Sequence, residues 1–355
     1  MRAGAMHLRR AVLLGALFVL TSLVVNNFAI KSHRAIAPPD LGALNDRVPQ
    51  TASNRIWRND LISLEPSLYA SQPGSIAKVI DGLDGDLYAL DFNAQKILNI
   101  SRSGKLERAV NGPERGSRVT PVPTDIAVDP TGKLWVVDLT SNSISIFSSN
   151  GEFRRSVTTP RPAYRISLAD AKVLIMHPPG SGALFSLLDS RNFSFSSLPI
   201  LSFSQGDGRA IAFDGSIAAG PDGGFIYAPL RIGAFVGIKP GGDLKFARDT
   251  IDAEEVPAIQ VDADNSMFIA RDAPVAAKSV SVISDKVWIF KSARVHLKLA
   301  NVFDVYDYNT GDYRFSVKLH GLMSNAFALR SGVVVLSKEK IVSFRWLPTS
   351  TGQNS

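Results

Sequence analysis

The residues able to do chemistry are few. With no cysteine and five histidines in 355 residues, thiol nucleophiles, disulfides and cysteine zinc sites are excluded. His177, in LIMHPPGSG, follows an apolar run and precedes two prolines. Its imidazole could serve as a general acid or base, or simply end a strand on a hydrogen bond to a loop carbonyl. Asp91 and Asp138 each close a short apolar run, and a hydrolase or lyase could use them to hold a calcium-like divalent ion. Arg231, Arg271, Lys291 and Lys338, with Asp272 and Asn325, complete a candidate set richer in cations than in carboxylates. Such a set suits an anionic small molecule or an acidic peptide better than a metal. The aspartates of DGLDGD at 81–86 and of VDADN at 261–265 lack the spacing of a calcium loop and read as hairpin turns. There is no G-x-S-x-G elbow, H-E-x-x-H pair, Walker loop or G-x-G-x-x-G after a strand, so no cofactor is expected.

The elements that must position these residues are strands. The chain holds 25 Asp against 7 Glu, with 27 Gly and 20 Pro. Turn formers thus outweigh a good helix former, which favours many short strands joined by tight turns. Residues 121–157 show this in detail, as four short apolar strands separated by Asp129-Pro130-Thr131-Gly132, Ser141-Asn142 and Ser149-Asn150-Gly151. Four antiparallel strands in under forty residues form one propeller blade. The rhythm recurs at 78–110, 164–199, 209–248, across SVSVISDKVWIF and VFDVYDYNTGDYRFSV, and in a three-strand remainder at 324–346. The missing strand of that last unit could come from Ile56–Tyr69. The fold expected is all-β, a six-bladed β-propeller, with 255–280 either an inserted hairpin or part of a seventh blade.

The 121–157 segment resembles an NHL-repeat blade of the TolB-like six-bladed propellers. Pro123, Asp129, Gly132, Asp138, Ile144, Ile146, Phe147 and Gly151 occupy the places of that pattern. The resemblance implies a ligand site at the mouth of a central channel, on the loops entering each innermost strand and leaving each second strand. Those loops supply Asp91, Asp138, His177, Arg231, Arg271, Asp272, Lys291, Asn325 and Lys338. Gluconolactonase-type relatives place a Glu, an Asn and an Asp around one calcium-like ion there. This set contains no Glu, so a metal-dependent hydrolase or lyase is the second reading and a non-catalytic binding module the first.

The ends of the chain suggest where it works. Residues 1–34 hold five basic residues and no acid, and the remaining 321 are near neutral at +2. The body therefore has no electrostatic footprint for nucleic acid. Residues 11–30 form an uncharged, largely apolar run just long enough to span a bilayer as a helix, behind the positive MRAGAMHLRR. This reads as a signal peptide or an uncleaved signal anchor over 1–30, with the bulk of the chain translocated. The product would be anchored in the inner membrane with its propeller in the periplasm or outside the cell, or secreted if the segment is cleaved. Residues 31–76 read as a Pro-rich tether, 77–347 as the propeller and 348–355 as a tail. The expected partners are the membrane and an envelope protein, a peptide or a small anionic ligand.

Overall fold

The computed structural model describes residues 34–37, 40–71, 75–83, 85–110, 122–180, 182–204, 207–295, 298–321, 323–337 and 340–347. The expected membrane segment at 11–30 and the tail at 348–355 lie outside them. Among the described residues no helix is long and apolar enough to cross a membrane. The chain is all-β and divides into two units, one of 1–37 with 258–270 and one of 38–257 with 271–355.

Among the described residues the larger unit holds six sheets of four antiparallel strands each. Their first strands are Ile76–Asp81, Pro123–Val128, Arg165–Ala169, Gly215–Ala219, Ser279–Ile283 and Asn325–Leu329. Each of these packs against the next, and the sixth packs against the first, so the six make a closed ring. The second strands behind them are almost wholly apolar and buried, as in Leu87–Asp91, Leu134–Asp138 and Phe225–Pro229. Both faces of each sheet meet a neighbouring sheet, so these strands read as continuous hydrophobic runs rather than alternating ones. The arrangement is that of a β-propeller.

The core lies between sheets. Trp135, Val137 and Ile144 of the second sheet pack with Ile166, Val173 and Ile175 of the third. Tyr306 and Ile289 of the fifth pack with Phe235 and Ile226 of the fourth. An edge-on contact between Phe185 and Tyr227, 5.0 Å between ring centres, joins the third sheet to the fourth. Each fully buried side chain of this kind contributes roughly 1.5–3 kcal/mol. Gly215 is required where the fourth first strand crosses its neighbour, because a Cβ there would stand 2.4 Å from the carbonyl oxygen of Ala228.

The sixth sheet closes the ring with chain from far away in sequence. Asn325–Leu329, Gly332–Leu336 and Lys340–Trp346 are joined by Ile62–Ser71, antiparallel to Lys340–Trp346 from Ile62↔Trp346 to Ser71↔Lys340. The residues before it depart from the expected tether. Residues 47–58 run along the fourth and fifth sheets, bridging in parallel at Val48↔Arg248 and Trp57↔Ser316. Gln50 donates to the carbonyls of Asp249 (2.7 Å) and Gly311 (2.9 Å) and accepts from the Tyr313 amide (2.7 Å). Arg55 grips both oxygens of Asp304 at 2.9 Å. Its polar side chains and two isolated bridges fasten this segment to strand edges.

The smaller unit accounts for the uncertain 255–280 stretch. Ile259–Val261 and Met267–Ile269 form a hairpin that pairs with Arg34–Ile36 in a three-stranded sheet. Asp262 makes the turn, accepting from the amides of Asp264 and Ser266.

Candidate ligand site in the central channel

The ring of first strands surrounds a cavity of about 1130 Å³. One polar level of it can be read from strand register. Lys78 pairs with Leu90, Asp125 with Val137, Arg165 with Met176, Ser216 with Ala228, Ser279 with Phe290 and Asn325 with Leu336. Each partner immediately precedes a corresponding residue of its second strand or the loop after it: Asp91, Asp138, His177, Pro229, Lys291 and Ser337. The six first-strand residues therefore stand at one level, one from each sheet, and Lys278 lies one residue further out. All seven line the cavity.

The level is unevenly compensated. Lys78 Nζ lies 2.7 Å from Asp125 Oδ1, and Asp125 Oδ2 accepts from the Ile166 amide at 2.8 Å. That cation and that carboxylate cancel. Arg165 lies 4.5 Å over the ring of Tyr164, donates to its hydroxyl at 3.1 Å, and stands 3.7 Å from Asp214. Its Nε is buried and has no partner among the described residues. Lys278 Nζ donates to Ser292 Oγ at 3.0 Å and has no carboxylate partner among the described residues. Burial pushes its pKa down from the ordinary lysine value. Asn325, which lines the cavity, accepts from the Ala326 amide on its carbonyl oxygen at 2.9 Å and keeps its amide nitrogen able to donate. The rim is thus richer in donors than in acceptors.

The candidates taken from the loops after the second strands lie elsewhere. Asp91 is buried and accepts from the amides of Ser75 (3.2 Å) and Ala94 (3.0 Å), which holds its turn. Asp138 does the same with the amide and hydroxyl of Thr140, while its Oδ2 is buried without a hydrogen-bond partner among the described residues. His177 is fully buried, with Nδ1 2.7 Å from the Pro162 carbonyl and Nε2 2.7 Å from Ser186 Oγ. A carbonyl only accepts, so Nδ1 carries the proton and Nε2 accepts from the serine. Burial lowers the imidazole pKa to about 4. Arg231 clasps the carbonyls of Ala273 and Pro274, and Arg271 and Asp272 are exposed. Lys291 is fully buried, 2.7 Å from Asp252 and paired with Glu254. Lys338 lies outside the described residues. Of the nine, Asn325 is the one among the described residues that lines the cavity. No three acidic or histidine side chains among the described residues are grouped as a metal would need.

The reason is geometric: second-strand ends sit behind the first strands, inside the sheet stack. The signal that points to the rim is a polar residue early in an otherwise apolar first strand, as in IAKVID, PTDIAV and RISLA.

Comparison with known proteins agrees with the fold. No family model matches the chain, and no curated protein matches it. Among solved structures, a DUF4221 member from Bacteroides vulgatus is similar with a TM-score of 0.56 and 9% identity, over 82% of this chain and 99% of that one. A protein of Bacteroides fragilis assigned as exported is similar with a TM-score of 0.52 and 10% identity, over 85% and 99%. A streptogramin B lyase is similar with a TM-score of 0.50 and 13% identity, over 81% and 99%. At such identities the likeness shows a shared β-propeller-like fold.

Proposed function

We propose that the six four-stranded sheets are the blades of a six-bladed, NHL-like propeller. It acts outside the cytoplasm as a binding module, held to the inner membrane through residues 11–30 or released if that segment is cleaved. The observation that carries the binding reading is the cavity rim, where Lys278, Arg165 and Asn325 present donors that no carboxylate of the described residues fully satisfies. A small anionic ligand, a peptide or an envelope protein with an acidic group fits that excess. The basic N-terminus before an apolar run supports export, and a protein of similar fold is assigned as exported.

The likeness to a streptogramin B lyase keeps a hydrolase or lyase as the second reading. Such an enzyme would need an acid–base group at the channel, yet His177, the candidate for it, is enclosed with both nitrogens engaged. The test is a thermal-shift screen of the full-length chain against small anions, acidic peptides, neutral glycans and divalent cations. Each compound is then followed by mass spectrometry. A compound that stabilises the chain and is recovered unchanged supports the module. Turnover that disappears in His177→Ala overturns it in favour of the enzyme.

A further inference from the structure

We propose that the rim of the channel around Lys278 binds the oxyanion group, carboxylate or phosphate, of a small molecule, with Arg165 and Asn325 as the accompanying donors. The inference rests on the binding-module reading and names its ligand class and its residues.

Position comes first. Around the ring the level reads Lys78, Asp125, Arg165, Ser216, Ser279, Asn325, and then Lys78 again. The one carboxylate of this level, Asp125, lies 2.7 Å from Lys78 Nζ through Oδ1 and accepts from the Ile166 amide through Oδ2. Between the Arg165 strand and the Lys278 strand lies the strand of Gly215 and Ser216, which carry no side chain and a short hydroxymethyl group. The two cations thus flank a small-residue wall and face one cavity.

Lys278 itself is held by a neutral chain. Its Nζ donates to Ser292 Oγ, that hydroxyl donates to Asn301 Oδ1 (3.1 Å), and Asn301 Nδ2 donates to the Gly321 carbonyl (3.2 Å). Every partner is uncharged, so the ammonium is oriented without being neutralised. An ammonium offers three donors, and this one uses a single donor on protein. Arg165 is likewise incomplete, with Nε unpartnered among the described residues and Asp214 at 3.7 Å rather than at hydrogen-bond distance. An oxyanion at the rim would supply the acceptors that all three side chains lack, and charge-assisted bonds to it would be the strong ones.

The probes are inorganic phosphate and succinate, titrated calorimetrically onto the full-length chain in detergent at constant ionic strength set with sodium chloride. Saturable binding is expected, with the dissociation constant raised at least tenfold in Lys278→Gln and restored to within threefold in Lys278→Arg. The exposed Lys239→Gln should leave it unchanged. Melting curves establish that each variant is folded, and Asn325→Ser, which removes the side-chain amide donor together with the carbonyl that accepts from the Ala326 amide, gives an independent weakening. Phosphate binding without succinate binding assigns the site to phosphates, and the converse assigns it to carboxylates. Absence of saturable binding to both, or equal loss in Lys239→Gln, overturns the proposal. If peptides or glycans still stabilise the chain, the module stands and only this site falls. If a compound is turned over through His177, the module falls while the Lys278 titration is still read on its own.

Discussion

Two cationic regions of the larger unit use the same residue types to opposite ends. Against the middle strands of the fifth sheet, Arg55 grips Asp304 and reaches Asp252, while Lys291 meets Asp252 and Glu254. Two cations face three carboxylates, Asp304 and Lys291 are fully buried, and Ser316 adds a 2.5 Å hydrogen bond to Asp304. At the channel rim, Lys278 has a hydroxyl and Arg165 a phenol and a carboxylate at 3.7 Å. A fully paired buried network is structure, whereas cations facing a cavity with neutral or more distant partners have capacity left for something else. Burial opposes the charge of Arg55, but its bonds to Asp304 and Asp252 outweigh this and raise its pKa further.

The sharpest way to break the comparison is to remove a cation from the compensated side. Arg55→Ala leaves Asp304 buried and charged, and should cost about 3–5 kcal/mol, as loss of one partner from a buried pair does. Lys291→Met should fall in the same range, because Glu254 then loses its cation. Urea unfolding of the full chain measures both. A loss under about 1 kcal/mol in each would make the network ornamental and the contrast with the rim empty. Arg55→Ala should also free residues 47–58, read as faster amide exchange at Arg58, whose amide donates to the Ser316 carbonyl, and at Ser316, whose amide donates to the Ile56 carbonyl.

His177 supplies the next largest effect, through pH. Its folded pKa near 4 lies below the ordinary 6.5, so on acidification the unfolded chain takes up the proton first. The stability it contributes is complete above about pH 6.5 and is lost as pH falls toward 4. The span corresponds to roughly 3 kcal/mol. Unfolding free energies at pH 7 and pH 4.5 should differ by most of that, and His177→Gln should flatten the difference. An unchanged slope in the variant would mean that His177 is accessible to protons, and would reopen the acid–base reading.

Ring closure comes third. Trp346 donates from Nε1 to the Leu329 carbonyl at 2.8 Å, and its ring centre is 4.9 Å from that of Trp288. Trp346→Phe keeps most of the ring stacking and removes the bond, so a loss of about 1 kcal/mol is expected by urea unfolding. A neutral result would shift the closure to the Ile62–Ser71 pairing alone.

How much of this was legible in the sequence varies by element. The second sheet was readable strand by strand, because Asp129-Pro130-Thr131-Gly132 and Ser149-Asn150-Gly151 mark its turns, and Gly132 and Gly151 adopt positive φ there. The need for a distant strand in the last sheet was readable too, since 324–346 supplies three strands where four are the repeat. Residues 47–58 were not, because their attachment runs through single side chains such as Gln50 and Arg55 onto strand edges. That leaves no periodicity to detect. Apart from Asn325, the described candidates lie one strand behind the residues that line the cavity. Asp91, Asp138 and His177 drew attention as polar residues ending apolar runs, but ending a run is what a turn-capping side chain does. Lys78, Asp125 and Arg165 carried the better signal, since a charge inside a first strand has no local backbone to satisfy.

The smallest expected effect is the most telling. Lys278→Met removes a half-buried cation whose partner is a hydroxyl, so no carboxylate is left uncompensated. It also relieves the burial that lowers the lysine pKa. The stability of the apo chain should therefore stay within about 0.5 kcal/mol of the wild type or rise slightly. Lys291→Met, the same substitution in the compensated network, should cost several times more. Measured side by side in urea, the two lysines test one idea: a cation kept at no benefit to the fold is kept for a ligand. Equal costs would mean that Lys278 is a structural residue after all, and the rim would lose its strongest claim to be a site.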